Sequence, residues 1–135
     1  MFLADLSKLE QNTFLSLARN MVAADAIVTP EEEDLLNDLH YEIGQDTIIE
    51  PICKDIAELC TAVSNRKSQA KMLLELASIA HVDGEYEERE RELLRTIAAN
   101  WDIEHYSVIR AEDWGKNRIA LIADAAHIMH DITTK

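Results

Sequence analysis

The chain contains very few residues that interrupt helices, and this property constrains its fold more than any other. Among 135 residues there are only 3 glycines and 2 prolines. So few turn-forming residues favour long helices over many short strands. Apolar residues recur at helical spacing, and no stretch alternates apolar and polar residues as a half-buried strand does. The sequence therefore predicts an all-α protein.

Apolar periodicity and turn-forming residues divide the chain into about seven predicted helices. The clearest start is "TPEEE", where Thr29 is a good N-cap, Pro30 suits the first helical position and Glu32 occupies the third position of a capping box. The chain length predicts one domain over residues 1–135, built as a compact helical bundle. The predicted helices cover residues 2–24, 30–44, 46–63, 66–82, 87–100, 104–112 and 116–132.

The last predicted helix contains "IALIADAAHIM" and is apolar almost all round. A helix of this kind is expected to be central in the bundle or to lie in an oligomer contact.

Two segments of the sequence share one acidic pattern. The segment "AADAIVTPEEEDLL" begins at residue 23, and "AHVDGEYEERERELL" begins at residue 80. Asp25 aligns with Asp83 and Glu32 aligns with Glu90, each pair being 58 residues apart. In each copy the aspartate falls at a turn between helices, and the glutamate falls in the first turn of the helix that follows. The pattern predicts an internal helix-turn-helix repeat, and we refer to the two turns as elbows.

The repeated acids have a structural and a functional interpretation. Acidic side chains near a helix N-terminus accept free backbone N–H groups and meet the positive end of the helix dipole, so all four could be caps. If the two elbows pack side by side, the four carboxylates would instead converge. A divalent cation, which prefers oxygen ligands, would then relieve their mutual repulsion. The spacing is not that of an EF-hand, because Asp83 and Glu90 enclose only six residues.

The chain is strongly acidic, with a formal net charge of −13. This charge argues against nucleic acids and anionic membrane surfaces as ligands, and it suits cations, basic partners or simple solubility. Residues 31–58 hold 10 acidic residues against one lysine, which predicts a solvated face, with a basic partner surface as the alternative. No run of 18 apolar residues predicts a membrane span, and "MFLADLSKLEQ" lacks the basic region of a signal peptide.

Cysteines and tryptophans give no evidence of catalysis. Cys53 and Cys60 would lie about 10 Å apart on one helix, too far for a disulfide, so both are predicted to be reduced and packed as small apolar residues. Trp101 and Trp114 are predicted to fill gaps in the core, although an exposed tryptophan would indicate a partner site.

There is no glycine-rich phosphate loop and no base identifiable beside either cysteine. We therefore predict that the protein is not an enzyme.

His127 and His130 are three residues apart on the last predicted helix and can share a face. Zinc needs three or four ligands, and only Asp124 or Asp131 could add to this pair. Packing or surface roles are therefore favoured for both histidines.

The two elbow segments resemble the signature "A-x-A-D-G-x-(V/I)-x-x-x-E-x-x-x-(L/I)" of the tellurite-resistance TerB family. The resemblance covers roughly residues 10–103, and the membrane-tethered co-chaperone DjlA carries a related domain. It implies a bacterial, cytoplasmic bundle of about seven helices without established enzyme activity, associated with tellurite and other chemical stress. The paired acids of the family carry over onto Asp25 and Glu32 in the first copy, and onto Asp83 and Glu90 in the second.

Two positions depart from the family pattern. Ala26 stands where the family favours glycine, and His81 stands where a small residue is expected. A hydrogen-bonded, partly buried role is favoured for His81 over a role as a nitrogen ligand.

Together these observations predict a TerB-like stress-response module that binds a divalent cation through the four elbow acids. The alternative is a DjlA-like interaction domain whose acids only cap helices. In either case we expect a cytoplasmic protein with a protein partner, either basic or part of a membrane-associated stress complex. Neither nucleic-acid binding nor membrane insertion is expected, and a homo-oligomer is compatible with the sequence.

Overall fold

A computed structural model describes residues 3–22, 34, 37, 38, 55–82 and 86–134. Every regular element within these ranges is helical, which confirms the predicted all-α class. The elements are a 3-10 turn at Leu3–Asp5 and the helices α1 (Lys8–Val22), α2 (Ile56–Thr61), α3 (Arg66–Ala80), α4 (Glu88–Asn100) and α5 (His105–Thr133). Residues 34, 37 and 38 are also helical, but most of the predicted second helix lies outside the described residues.

Local capping determines where several of these helices begin. At the start of α1, Ser7 Oγ accepts the Glu10 N–H at 3.2 Å and Glu10 Oε1 accepts the Ser7 N–H at 2.9 Å, which forms a capping box. At the start of α3, Asn65 Oδ1 accepts the N–H groups of Lys67 and Ser68. The predicted start of the first helix at residue 2 is therefore too early, because this capping box places the helix start after Ser7.

The core lies between α1, α3 and α4, and α2 contributes Leu59 and Cys60 to it. Its largest fully buried side chains include Phe14, Leu17 and Met21 of α1, Met72 and Leu76 of α3, and Leu94 and Ile97 of α4. Trp101 is also buried, as predicted, and its Nε1 donates to the Cys60 carbonyl at 3.0 Å. Cys60 is buried with a free thiol. Cys53 lies outside the described residues.

The turn between α4 and α5 is a Schellman motif. The Ile103 N–H donates to the Ala98 carbonyl at 3.0 Å, and the Asp102 N–H donates to the Ala99 carbonyl at 3.1 Å. Asp102 has a φ of 53°, a left-handed conformation that aspartate tolerates better than most residues. This turn directs α5 back along α3.

Helix α5 is continuous, so the predicted separate helices at residues 104–112 and 116–132 were wrong on this point. Gly115, at the predicted gap, lies inside the helix where α5 crosses α3. A Cβ at this position would lie 2.6 Å from the Ala77 carbonyl carbon and 2.7 Å from its oxygen. The glycine therefore allows two helix backbones to approach closely, and it does not end a helix.

The second half of α5 extends beyond the end of α3. Helix α3 ends at Ala80, whereas every residue of α5 from 120 onwards is exposed. We refer to residues 120–134 as the arm, a length of about 22 Å at a helical rise of about 1.5 Å per residue. Of the two positions predicted for this apolar segment, the central one does not agree with its exposure. Its predicted role in an oligomer contact stays a prediction.

Candidate functional site

Of the four elbow acids predicted as a cation site, the structure describes Glu90 alone. Asp25, Glu32 and Asp83 lie outside the described residues. Glu90 is buried at the third position of α4, where it forms a capping box with Glu87 and its Oε1 accepts the Glu87 N–H at 3.3 Å. This is the capping role of the structural interpretation. Within the described ranges, no three His, Cys, Asp or Glu side chains are grouped so that they could hold a metal ion.

The chain following the second elbow contains a polar cluster around a buried carboxylate, which the sequence did not predict. It consists of Tyr86, Arg91, Arg95 and the buried Glu112, and we refer to it as the Glu112 cluster. The Tyr86 hydroxyl donates to Glu112 Oε2 at 2.5 Å, and Arg95 Nη2 donates to Oε1 at 3.2 Å. Arg91 Nε lies 3.9 Å from Oε2, and its guanidinium stacks over the Tyr86 ring at 4.9 Å. The cluster joins α4 and the segment before it to α5.

The side chains of the Glu112 cluster satisfy one another's hydrogen-bonding groups. Burial and the hydrogen bond to Glu112 raise the pKa of Tyr86 well above its ordinary value, so the phenol stays protonated and donates. Both Glu112 oxygens are occupied, one by Tyr86 and the other by Arg95. Elsewhere in the core, burial raises the pKa of the Cys60 thiol to about 11, which makes it a poor nucleophile.

Two open grooves flank α5. One, of about 720 Å³, lies over the Glu112 cluster and is bounded by His81, Lys116, Ile119 and Ala123 among others. The other, of about 450 Å³, lies on the far side between α3 and α5, and its lining includes Arg66, Leu73, Leu74, Arg110 and Trp114. Trp114 is half-buried and therefore not a full core residue as predicted.

His81 is partly buried beside the Glu112 cluster, so the partial burial expected from the sequence is present, whereas the expected hydrogen bond is not made by its Nε2. Its ring centroid lies 4.5 Å from that of Tyr86, tilted by 48°. Its Nε2 is buried without a hydrogen-bond partner in the described part of the chain. Burial lowers the pKa of His81 below the ordinary value of 6.5, and the Lys116 charge acts in the same direction.

These surroundings predict a pH-dependent contribution of His81 to stability. Because the folded state favours neutral His81, the contribution is fully present above pH 6.5 and is lost as the pH falls below that value towards the depressed pKa. Urea unfolding at several pH values should show His81→Gln gaining stability relative to the unmodified chain as the solution is acidified. Parallel stability curves for the two chains would contradict the placement of His81.

The arm is the largest exposed apolar feature among the described residues. Eight large apolar side chains are exposed in these ranges, and five of them are on the arm. These five are Leu121 (68% exposed), Ile122 (54%), Ile128 (54%), Met129 (60%) and Ile132 (69%). His127 and His130 are also exposed, so of the packing and surface roles left open by the sequence the structure shows the surface role. A contiguous apolar patch on a monomer surface generally marks a contact with another molecule.

No family model matches the chain, and no curated protein or solved structure matches it either. Among the described helices, none combines the length and the apolar character that crossing a bilayer requires. On its described elements and surface, the chain is an all-α protein with an exposed helix segment rich in large apolar side chains.

Proposed function

We propose that this chain is a protein-interaction module without catalytic activity of its own, and that the apolar face of the arm is its docking surface. The observation that carries the proposal is the exposure of five large apolar side chains on one helix segment. Burial of apolar surface against a partner is favourable, and an exposed apolar patch generally marks an interaction site.

The arm is amphipathic, and this supports a specific contact through one face of the helix. At about 100° per residue, the polar and charged side chains Asp124, His127, His130 and Asp131 lie on one side of the helix. The opposite side, about 180° wide by the same helical geometry, carries only apolar and small residues between positions 119 and 132. Those residues are Ile119, Leu121, Ile122, Ala125, Ala126, Ile128, Met129 and Ile132. A helix with one apolar face is suited to binding another helix or an apolar groove.

The residues near the grooves support the same conclusion. The buried Glu112 carboxylate is satisfied by Tyr86 and Arg95, and Tyr86 stays protonated. Side chains that already satisfy one another stabilise the position of α5 and leave no activated acid or base in this cluster. We therefore infer that the body of the protein holds the arm in place and the arm makes the contacts.

We also retain kinship with the TerB family as a proposal, together with a bacterial, cytoplasmic stress-response role. Of the two interpretations of the elbow acids, the capping role of Glu90 supports the DjlA-like interaction domain. The predicted divalent cation at Asp25, Glu32, Asp83 and Glu90 remains the alternative. The partner that the arm favours is apolar, because its docking face between positions 119 and 132 has no charge to pair with a basic surface.

The proposal is tested by the reactivity of thiols introduced on the arm. Ile122→Cys lies on the apolar face, and Asp124→Cys lies on the opposite side of the same helix. Both native side chains are exposed, so neither substitution disturbs the core. We expect a maleimide reagent to modify the thiol of Ile122→Cys slowly in an extract of the cells that make the protein, and quickly in dilute purified protein. The thiol of Asp124→Cys should react quickly in both.

Slow reaction at position 122 alone would support docking through the apolar face. Equal reaction rates at positions 122 and 124 in the extract would contradict it, because an occupied face excludes the reagent.

A further inference from the structure

We infer that the arm binds the arm of a second copy of this chain, with the two helices antiparallel. The inference rests on the proposed function and names the partner. Three features of the arm support it: the spacing of its apolar residues, the sizes of those residues and the positions of its charged residues.

The apolar stripe of the arm continues a helix–helix interface that already exists within the chain. The face of α5 that packs on α3 includes Val108, Ala111 and Gly115, all of which are buried. The same spacing of three and four residues continues through Arg118 into the arm as Ile122, Ala125, Met129 and Ile132. Residues at this spacing form the line of contact between two paired helices, which we refer to as the seam. Helix α3 ends at Ala80, so the seam continues beyond the helix that covers its first half.

The seam is complementary to itself in the antiparallel direction. With position 127 of the two copies at the centre, Ile122 of one arm faces Ile132 of the other, and Ala125 faces Met129. Each of the two inner layers then pairs a small side chain with a large one. With this alignment, residue 120 of one copy lies opposite residue 134 of the other. The paired segment is therefore the whole exposed part of α5.

Charge favours the same arrangement. Each chain carries a net charge of −13, so two copies repel each other wherever their charged surfaces meet. The two acidic residues of the arm, Asp124 and Asp131, lie on the side away from the seam. The positions that flank the seam, including Leu121, Ala126 and Ile128, are uncharged. An antiparallel pair also places the two acidic bodies at opposite ends, where their repulsion is weakest.

Sedimentation of the purified full chain tests the contact. We expect a monomer–dimer equilibrium, with Ile122→Asp/Ile132→Asp weakening self-association by roughly 100-fold or more, because each carboxylate would be buried without a partner. The matched control is Ala123→Asp/His130→Asp, which also adds two acidic residues to the arm, on its outer side. The control should leave the dissociation constant within about threefold, the small effect expected of exposed charge.

A charge exchange tests the antiparallel direction. In Ile122→Asp/Ile132→Lys, each aspartate faces a lysine of the other copy if the arms are antiparallel, and faces another aspartate if they are parallel. We expect this variant to dimerise far more strongly than Ile122→Asp/Ile132→Asp. Equal loss of the dimer in both variants would overturn the antiparallel register. Circular dichroism should show helical content unchanged throughout, because the altered side chains are exposed.

Sedimentation and thiol reactivity together distinguish failure of self-pairing from failure of the proposed function. A chain that stays monomeric at high concentration, while the thiol of Ile122→Cys is protected in the extract, would overturn self-pairing and leave docking to a different protein. A monomer whose thiol at position 122 reacts freely in the extract would overturn both. A dimer that dissociates equally with the seam variant and the outer-face control would also overturn the inference, because the contact would then lie elsewhere.

Discussion

Replacing Arg118 by leucine is expected to lower the free energy of unfolding by about 3–5 kcal/mol, the cost of removing one partner from a buried ion pair. Arg118 Nη1 donates to Glu75 Oε2 at 3.1 Å and to Ser78 Oγ at 3.1 Å. Only 4% of the Glu75 side chain and 18% of the Arg118 side chain is exposed. Without Arg118, the Glu75 carboxylate would remain buried on α3 and would lose the cation that pairs with it. Urea unfolding followed by circular dichroism measures the loss.

The double variant Glu75→Met/Arg118→Leu separates the ion pair from simple packing. Because it removes both charges together, it is expected to recover most of the stability that Arg118→Leu loses. If the loss of stability in the double variant equals the sum of the losses in Arg118→Leu alone and Glu75→Met alone, the two charges are not coupled and the explanation fails.

The ion pair of Lys71 with Asp5 is a matched surface control. Its atoms are 3.4 Å apart, but 76% of the Asp5 side chain is exposed. Asp5→Asn should therefore cost less than about 1 kcal/mol. The contrast between the two pairs would show that burial, and not distance alone, makes the Arg118 interaction important where α5 leaves α3.

The sequence predicted best the helices whose ends are set by nearby residues. The prediction of a helix over 66–82 is close to the observed Arg66–Ala80, which the polar Asn65 caps. The prediction over 87–100 is likewise close to Glu88–Asn100, where Glu87 and Glu90 form the capping box. The start of α1 was wrong although its signal was present, since Ser7 and Glu10 have the spacing of a capping box.

Local sequence patterns could not predict the contacts between distant parts of the chain. The partners of Glu112 lie 17 and 26 residues away in sequence, so no spacing rule within one helix would bring them together. Nothing in the sequence near Gly115 showed that a second backbone would pass beside it. The amphipathic character of the arm, in contrast, could have been predicted. Asp124, His127, His130 and Asp131 have the spacing of one helix face, although the segment was predicted to be apolar almost all round.

Gly115→Ala is expected to destabilise the protein by about 1–3 kcal/mol, the usual cost of overpacking, although alanine is the better helix former by about 1 kcal/mol. The added Cβ would meet the Ala77 carbonyl carbon at 2.6 Å and the Ser78 nitrogen at 2.9 Å. These are backbone atoms and cannot move aside as a flexible side chain could. The two helices would have to separate, which would loosen the contacts of α5 with α3 on both sides of the crossing. Urea unfolding measures the change.

Asn117→Ala is the matched control for helix propensity. Asn117 is exposed two residues further along α5, so alanine there gains helix propensity without meeting another backbone. This variant should be more stable than the unmodified chain by about 0.5 kcal/mol. If Gly115→Ala were stabilised to the same extent, propensity would be the only effect and the close crossing would be refuted. The opposite signs that we expect would show that Gly115 is retained for the contact with α3, which fixes the position from which the arm extends.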